Sequence, residues 1–289
     1  YAGIDMRGKT AIILVNDPDW QNADLKGPFN GRAMTYYGRW TYKFEEAARQ
    51  GAAAALIVHD TMPAAYGWNV VENGWSGAQA YAASDSVTPK TLINGWLQKD
   101  AAQRIITASG HDFERLGMAA RKRGFRPVPL GIAATTGFDN AIRRYTSSNV
   151  IGILPGTQRP HEVVLHAAHW DHLGRCPPAE DGDDICNGAI DNATGTAALI
   201  TLAQAHAQAG PTARSLVFMA LTAEESGLLG SAHYAANPVF PLADTVGGVN
   251  IDALSMAGPA KDVILVGAGK SDLDAYLAHA LTQEGRHAA

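Results

Sequence analysis

Apolar residues in this chain come as short continuous runs, separated by glycine-rich and polar stretches. Runs of that kind predict buried strands of an α/β protein. The first lies at residues 11–15, between Gly8-Lys9 and Asp17-Pro18, and the second at 52–58, followed by His59-Asp60. Further runs at 128–134, 149–154, 163–168, 215–221 and 246–251 predict strands, as does 263–266, which ends at Gly267. Between them the apolar spacing becomes helical. Residues 41–50 put Phe44, Ala47 and Ala48 on one stripe, with Thr41 as cap, Glu45 and Glu46 in the first turns and Gly51 as the stop. Thr88-Pro89 opens a second helix carrying Leu92, Trp96, Ala101, Ile105 and Ile106, and a third covers 111–122. The good helix formers of 193–209 stop at Gly210-Pro211. A helix starting within 227–231 reaches Ala236 before Pro238, and Ser271 caps the last, with Asp272 and Asp274 in its first turn. Residues 21–39 read as an ordered loop. Residues 63–77, with Tyr66, Trp68 and Trp75, read as an aromatic loop that either lines a cleft or packs on its own domain.

Composition narrows the class. The chain has 289 residues, 46% hydrophobic and 18% charged, the balance of a globular protein with one large or two ordinary domains. Its net charge is −5 and its largest basic cluster is Arg121-Lys122-Arg123, which argues against a nucleic-acid partner. No apolar run approaches the roughly 18 residues of a membrane helix. The opening Tyr1-Ala-Gly-Ile-Asp-Met-Arg-Gly-Lys runs directly into a strand, so a fragment of a longer, processed protein is expected. Cys176 and Cys186 are the only two cysteines and lie in one polar loop. They lack the C-x-x-C spacing of a structural zinc site. A disulfide, with the oxidising compartment it implies, is the expectation; two free thiols are the alternative.

The chemistry gathers around 163–192. The strand at 163–168 ends in His169, Asp171 and His172, and Asp191 stands where the helix at 193 begins. The strand at 215–221 ends in Thr222-Ala223-Glu224-Glu225, and that at 246–251 ends in Asp252. Ligands of open α/β sheets bind at the carboxyl ends of strands. One imidazole and several carboxylates meeting there form a zinc-type ligand set, and the carboxylates would repel one another without a cation between them.

His169-x-Asp171, then Gly188-Ala189-x-Asp191-Asn192-x-x-Gly195, then Glu224-Glu225, then Asn250-x-Asp252 resemble the co-catalytic di-zinc aminopeptidase family in order and spacing. Relatives of that family include glutamate carboxypeptidase, the transferrin receptor ectodomain and glutaminyl cyclase. The resemblance covers roughly the second half of the chain. It implies a zinc exopeptidase-like α/β fold, a mixed, mostly parallel sheet flanked by helices, over residues 124–289. It implies two zinc ions and a peptide substrate that loses N-terminal residues. His169 and Asp252 would hold the first metal, Asp191 would bridge, Glu225 would hold the second, and Glu224 would be the general base. Asp171 would hydrogen-bond the other nitrogen of His169. The peptide Asp191–Asn192 would be cis. The family's further histidine ligand, in a C-terminal motif, has no counterpart here; His287 does not match it. A fragment with weakened metal binding and activity is therefore expected.

Residues 1–123 contain D-M-R-G-K-T-A-I-I-L-V and K-F-E-E-A-A-R-Q-G-A-A-A-A-L-I-V-H-D. These resemble the smaller α/β protease-associated domain often inserted in that family, here followed by a helical linker, which implies a lid or a selection surface and no chemistry. A periplasmic or secreted location is expected, in line with the oxidising compartment that a disulfide implies. Glutaminyl cyclisation on one zinc and a non-catalytic receptor ectodomain are the alternative functions; the intact ligand set disfavours the second. His59-Asp60 reads as a polar strand end. His166 reads as a core histidine with a hydrogen-bond partner, and His172 is not a ligand in the family pattern. Asp181-Gly-Asp183-Asp184 fails the calcium-loop pattern, with Ile185 at the fifth position and no Glu at the twelfth. That acidic loop is either a rim attracting a substrate amine or simply solvated.

Overall fold

The computed structural model describes all residues except Ala2, Asp24, Leu25, Ala33, 83–89, Ala257, Ile264, 266–270 and Ala289. The described residues fall into two compact units, one within Tyr1–Glu72 and Ser84–Ala141, the other within Asn73–Ala83, Ile142–Leu265 and Ser271–Ala289.

The first unit is built on β1 (Thr10–Leu14), α1 (Trp40–Arg49) and β2 (Ala54–His59). Two short helices follow, α2 (Thr61–Ala64) and α3 (Trp68–Trp75), then β3 (Ile93–Gln98), α4 (Lys99–Ala108) and α5 (Phe113–Ala120). The three strands form a parallel sheet in the order β1-β2-β3. The central strand β2 is the most apolar, and Val58 packs with Ala102, Ile106 and Phe113. Phe44, Ala47 and Ala48 are the buried stripe of α1, as their spacing requires.

Several expectations change here. The helix expected from Thr88 to Ile106 is instead a strand and then a helix, because Ile93–Gln98 pairs residue by residue with β2, Trp96 opposite Ile57. Asn94 and Gly95 are poor helix formers, so sheet pairing overrides a weak local preference. Thr88 and Pro89 lie outside the described residues. Helix α1 starts at Trp40 without a side-chain cap, so Thr41 is not its cap. The aromatic stretch after β2 is largely helical, and the rings of Tyr66 and Trp68 each stand 5.6 Å from that of His59. Residues 128–134 form no strand among the described residues. Pro127 and Pro129 each remove an amide donor, which a strand cannot lose from its ladder.

Lys43 on α1 carries a testable charge. Its Nζ donates to the Asn16 carbonyl at 3.0 Å. Burial pulls its ammonium down to about 8, against the opposing field of Asp17. A folded value below the ordinary 10.5 means that Lys43 contributes full stability above pH 10.5 and loses it as pH falls through 8. Unfolding free energy of the wild type, measured against Lys43→Met, should therefore gain about 2 kcal/mol between pH 7 and pH 10. An unchanged difference between the two proteins would refute this.

The second unit opens with β4 (Val150–Leu154) and β5 (Arg159–His169), then the small strands β6 (Gly174–Arg175) and β7 (Ile185–Cys186). It continues through α6 (Ala193–Ala209), β8 (Arg214–Leu221), α7 (Leu229–Ala236) and β9 (Thr245–Asn250). It ends with β10 (Asp262–Val263), α8 (Leu273–Gln283) and β11 (His287–Ala288). The main sheet runs β4-β8-β5-β9; β4 is antiparallel to β8, and the other pairs are parallel. This is the mixed, mostly parallel sheet that the sequence implied. Of the strand expected at 263–266, only Val263 lies in β10; Ile264, Val266 and Gly267 lie outside the described residues. Ser271 does assist α8, its Oγ accepting the amide of Leu273 at 3.3 Å, although Asp272 occupies the cap position.

Strand β8 is apolar on both faces because both are covered. Val217, Met219 and Leu221 pack with Val163, Ala167 and Tyr234 of α7. Leu216 and Phe218, on the other face, pack with Ala168 and Leu199 of α6. Each fully buried aliphatic side chain contributes roughly 1.5–3 kcal/mol. Strand β9 differs: it is an edge strand with Gly247 and Gly248, and Val246 and Val249 are about half exposed.

Candidate active site

Parallel pairing decides where the polar residues meet. In β5, His169 is in register with Leu221 of β8, and Ala167 with Asn250 of β9. All three strands therefore deliver their following residues to one edge: Asp171 after β5, Glu224 and Glu225 after β8, Asp252 after β9. Asp191 arrives from the other direction, just ahead of α6, and the peptide Asp191–Asn192 is cis, as the resemblance implied. Ala223 and Ala253, beside Glu224 and Asp252, take positive φ, a strained choice for a non-glycine residue that recurs at functional sites.

His169 is the buried centre. Its Nδ1 lies 3.0 Å from the Asp171 carbonyl and takes the hydrogen to donate to it. That leaves a lone pair on Nε2, which faces Asp191 Oδ1 at 3.0 Å and Asp252 Oδ1 at 3.3 Å. Lone pair against carboxylate is repulsive unless a proton or a metal cation lies between them. The His169 side chain is 1% exposed while those of Asp191 and Asp252 are 52% and 46% exposed, so the carboxylates form an open mouth over a buried nitrogen. Donor atoms of His169, Asp191 and Glu225 lie within 4.8 Å of one another. Among the described residues no Lys or Arg pairs with these carboxylates.

The electrostatics agree with that geometry. Burial disfavours the charged form of His169, yet the carboxylates of Glu224, Asp252 and Asp171, together with its backbone hydrogen bond, raise its pKa overall. Glu224 is raised by burial first; His169 pulls it down, and Glu225, Asp252 and Asp171 push it up. Glu225 is raised by burial and by Asp191, against His172. A site that raises both its imidazole and its glutamates has an excess of negative charge. One imidazole nitrogen and converging carboxylate oxygens are donors that fit zinc.

Asp171 behaves differently from expectation. Its carbonyl, not its carboxylate, takes the His169 hydrogen bond; the carboxylate lies 3.8 Å from Nδ1. The carboxylate instead accepts the backbone amides of Glu224 at 3.0 Å and Glu225 at 3.2 Å. It thus fastens the turn after β8 to the loop after β5.

Three further side chains support the site; the resemblance assigns none of them a role, although Asn192 stands in its motif. Asn192 is buried, donates to the Ile251 carbonyl at 2.8 Å and accepts the amides of Gly195 and Ala253 at 2.9 and 3.2 Å. Thr196 Oγ1 donates to the His169 carbonyl at 2.9 Å. Thr194 Oγ1 donates to the Ile190 carbonyl at 2.7 Å and accepts the Leu254 amide at 3.0 Å, bridging the loops of Asp191 and Asp252. An Asn directly before a helix is a cap signal that points to Asn192; nothing local marks the two threonines.

The remaining candidates resolve simply. His172 Nδ1 stands 2.7 Å from Glu225 Oε1. His166 stacks on Phe218 with centroids 5.0 Å apart, and its buried Nδ1 makes no hydrogen bond, so the ring contact replaces the expected partner. His59 Nε2 lies 3.0 Å from the Tyr66 carbonyl and Asp60 pairs with Lys99 at 2.9 Å, so they serve separate partners. Cys176 and Cys186 form a disulfide. In the acidic loop, Asp181 and Asp183 accept nearby amides and Asp184 pairs with Arg175.

A family profile matches the same half of the chain. Residues 149–289 match the profile of Peptidase family M28. Aminopeptidase NAALADL1 of Mus musculus is 29% identical over 138 residues, 45% of this chain and 17% of that protein. Aminopeptidase YwaD of Bacillus subtilis (strain 168) is 35% identical over 95 residues, 32% of this chain and 18% of that protein. A "Probable zinc metalloprotease" of Pyrenophora teres f. teres (strain 0-1) is 35% identical over 88 residues, 30% of this chain and 18% of that protein. The chain thus matches less than a fifth of the length of each of these relatives. Motif order, site geometry and profile coincide on residues 149–289, the part of the chain that matches Peptidase family M28.

Proposed function

We propose that the protein is a zinc-dependent aminopeptidase that removes N-terminal residues from peptides. The observation that carries this is His169 Nε2, its lone pair turned toward Asp191 and Asp252 at 3.0 and 3.3 Å, with Glu225 in the same donor group. The aminopeptidase and metalloprotease relatives support the same reading. His169 and Asp252 would hold a first zinc, Asp191 would serve both, and Glu225 would hold a second. Zinc held there supplies Lewis acidity toward a peptide carbonyl and toward water. Glu224 is the general base: its carboxylate takes a proton from the attacking water and delivers it to the leaving amine. Asp171 orients His169 through its carbonyl and both glutamates through its carboxylate. The open acidic mouth attracts the substrate's free α-amine.

In this reading residues 124–289 are the peptidase domain, and residues 1–123 are a protease-associated-like domain that contributes no catalytic group; the expected helical linker is instead part of its sheet and core. The disulfide supports a periplasmic or secreted location, since such bonds persist in oxidising compartments. No helix among the described residues is long and apolar enough to cross a membrane.

Metal removal tests the whole reading. Elemental analysis of the full-length protein should find two zinc ions per chain, and its hydrolysis of an aminoacyl 4-nitroanilide should vanish on chelation and return with zinc. The same substrate with an acetylated amine should resist. A protein without tightly bound metal, or one that cleaves the acetylated substrate equally well, would overturn the proposal.

A further inference from the structure

Among the described residues His172 is the one imidazole at this edge besides His169 that touches a proposed ligand, and in the family pattern it is not itself a ligand. Its Nδ1 lies 2.7 Å from Glu225 Oε1, within charge-assisted hydrogen-bond range. Space for the ring depends on Gly188: a Cβ there would stand 2.8 Å from His172 Cβ and 3.0 Å from its Cγ. Gly188 also takes a φ of +66°, so two independent constraints hold that position to glycine. The same added Cβ would lie 3.0 Å from the Asp191 carbonyl, which puts His172 in the wall next to Asp191.

Contact with Glu225 does not make His172 a ligand. A carboxylate that holds a cation offers only lone pairs, so the nitrogen facing it at this distance carries the hydrogen. Glu225 is also held from behind, its backbone amide donating to Asp171 Oδ2 at 3.2 Å. Two consecutive residues of one loop therefore grip Glu225 at both ends, Asp171 at the amide and His172 at the carboxylate.

We infer that His172 is a positioning residue for the second metal: its Nδ1–H ties down one oxygen of Glu225 and leaves the other to face the cation. This rests on the metal reading proposed above. Loss of a hydrogen-bond partner behind a ligand costs about 10–100-fold in metal affinity.

The test is a zinc titration of the stripped protein against a chelating dye, for wild type, His172→Ala and His172→Asn, with thermal unfolding of each stripped protein alongside. Asparagine sets an amide N–H close to where Nδ1–H stood. His172→Ala should bind the weaker zinc roughly 10–100-fold less tightly and the other within about threefold of wild type. His172→Asn should regain most of that loss, and the stripped proteins should unfold at similar temperatures. If His172→Ala binds both ions as wild type does, the inference fails while the metal reading stands. If His172→Asn takes up only one zinc, His172 is itself a ligand and the positioning role is wrong. Equal weakening of both ions with a lowered unfolding temperature would mean a merely structural role. Wild type that takes up no zinc would overturn the metal reading and this inference with it.

Discussion

Replacing Glu224 with Gln should lower kcat for peptide hydrolysis by about 10²–10⁴-fold while leaving the zinc content unchanged. The substitution keeps the shape of the side chain and removes its capacity to accept a proton. The backbone amide of Glu224, which donates to Asp171 at 3.0 Å, is untouched, so the turn after β8 should hold its conformation. In the proposed arrangement Glu224 is the base and no ligand, so the metal should stay. KM should change only a few-fold, because the lost group acts on the proton and not on substrate binding. Steady-state kinetics with elemental analysis of the same sample decide the matter. Activity within tenfold of wild type would remove Glu224 as the base. Loss of zinc would move it into the ligand set.

Asn192→Ala should be the most damaging substitution outside the ligand set. The side chain is 2% exposed and serves three backbone groups, the Ile251 carbonyl and the amides of Gly195 and Ala253. Alanine leaves those groups without their partner, at about 1–3 kcal/mol for each that water does not reach. A loss of roughly 3–5 kcal/mol of unfolding free energy is expected, measured by denaturant titration followed by circular dichroism. The effect should extend to metal binding, because Asn192 ties the segment that carries Asp191 to the segment that carries Asp252. Zinc affinity should fall at least about tenfold. Asn192→Asp keeps an acceptor for the two amides and loses the donor to Ile251, so its loss should be smaller. Less than 1 kcal/mol for Asn192→Ala would mean that the two loops are held elsewhere, with the Thr194 bridge the next candidate.

Much of the catalytic half was legible along the chain. The run at 215–221 could only be a strand covered on both faces, and β8 is that strand with one residue added. Residues 193–209 are α6 to the residue, since a strong block of helix formers meets Gly210-Pro211 at one end and Asp191-Asn192 at the other. Because polar residues directly follow apolar strands, the set His169, Asp191, Glu224, Glu225 and Asp252 could be named before any fold was known. These signals are local: hydrophobic period, caps and the residue after the strand.

What the sequence alone left open depends on contacts between distant segments. Ile93–Gln98 is a strand because β2 offers it an edge 39 residues away in register, not because its own residues prefer extension. The gripping of the Glu224-Glu225 amides by Asp171 spans 53 and 54 residues, and the His172–Glu225 contact spans 53. Asn192 reaches 59 residues to Ile251, and Thr194 reaches 60 to Leu254. No period or spacing encodes such pairings. They arise when parallel strands bring their carboxyl ends to one edge, and the polar groups stranded there must find partners to be buried at all. The sequence by itself pointed to the residues proposed to carry the chemistry; the tertiary structure decided which of them hold the others in place.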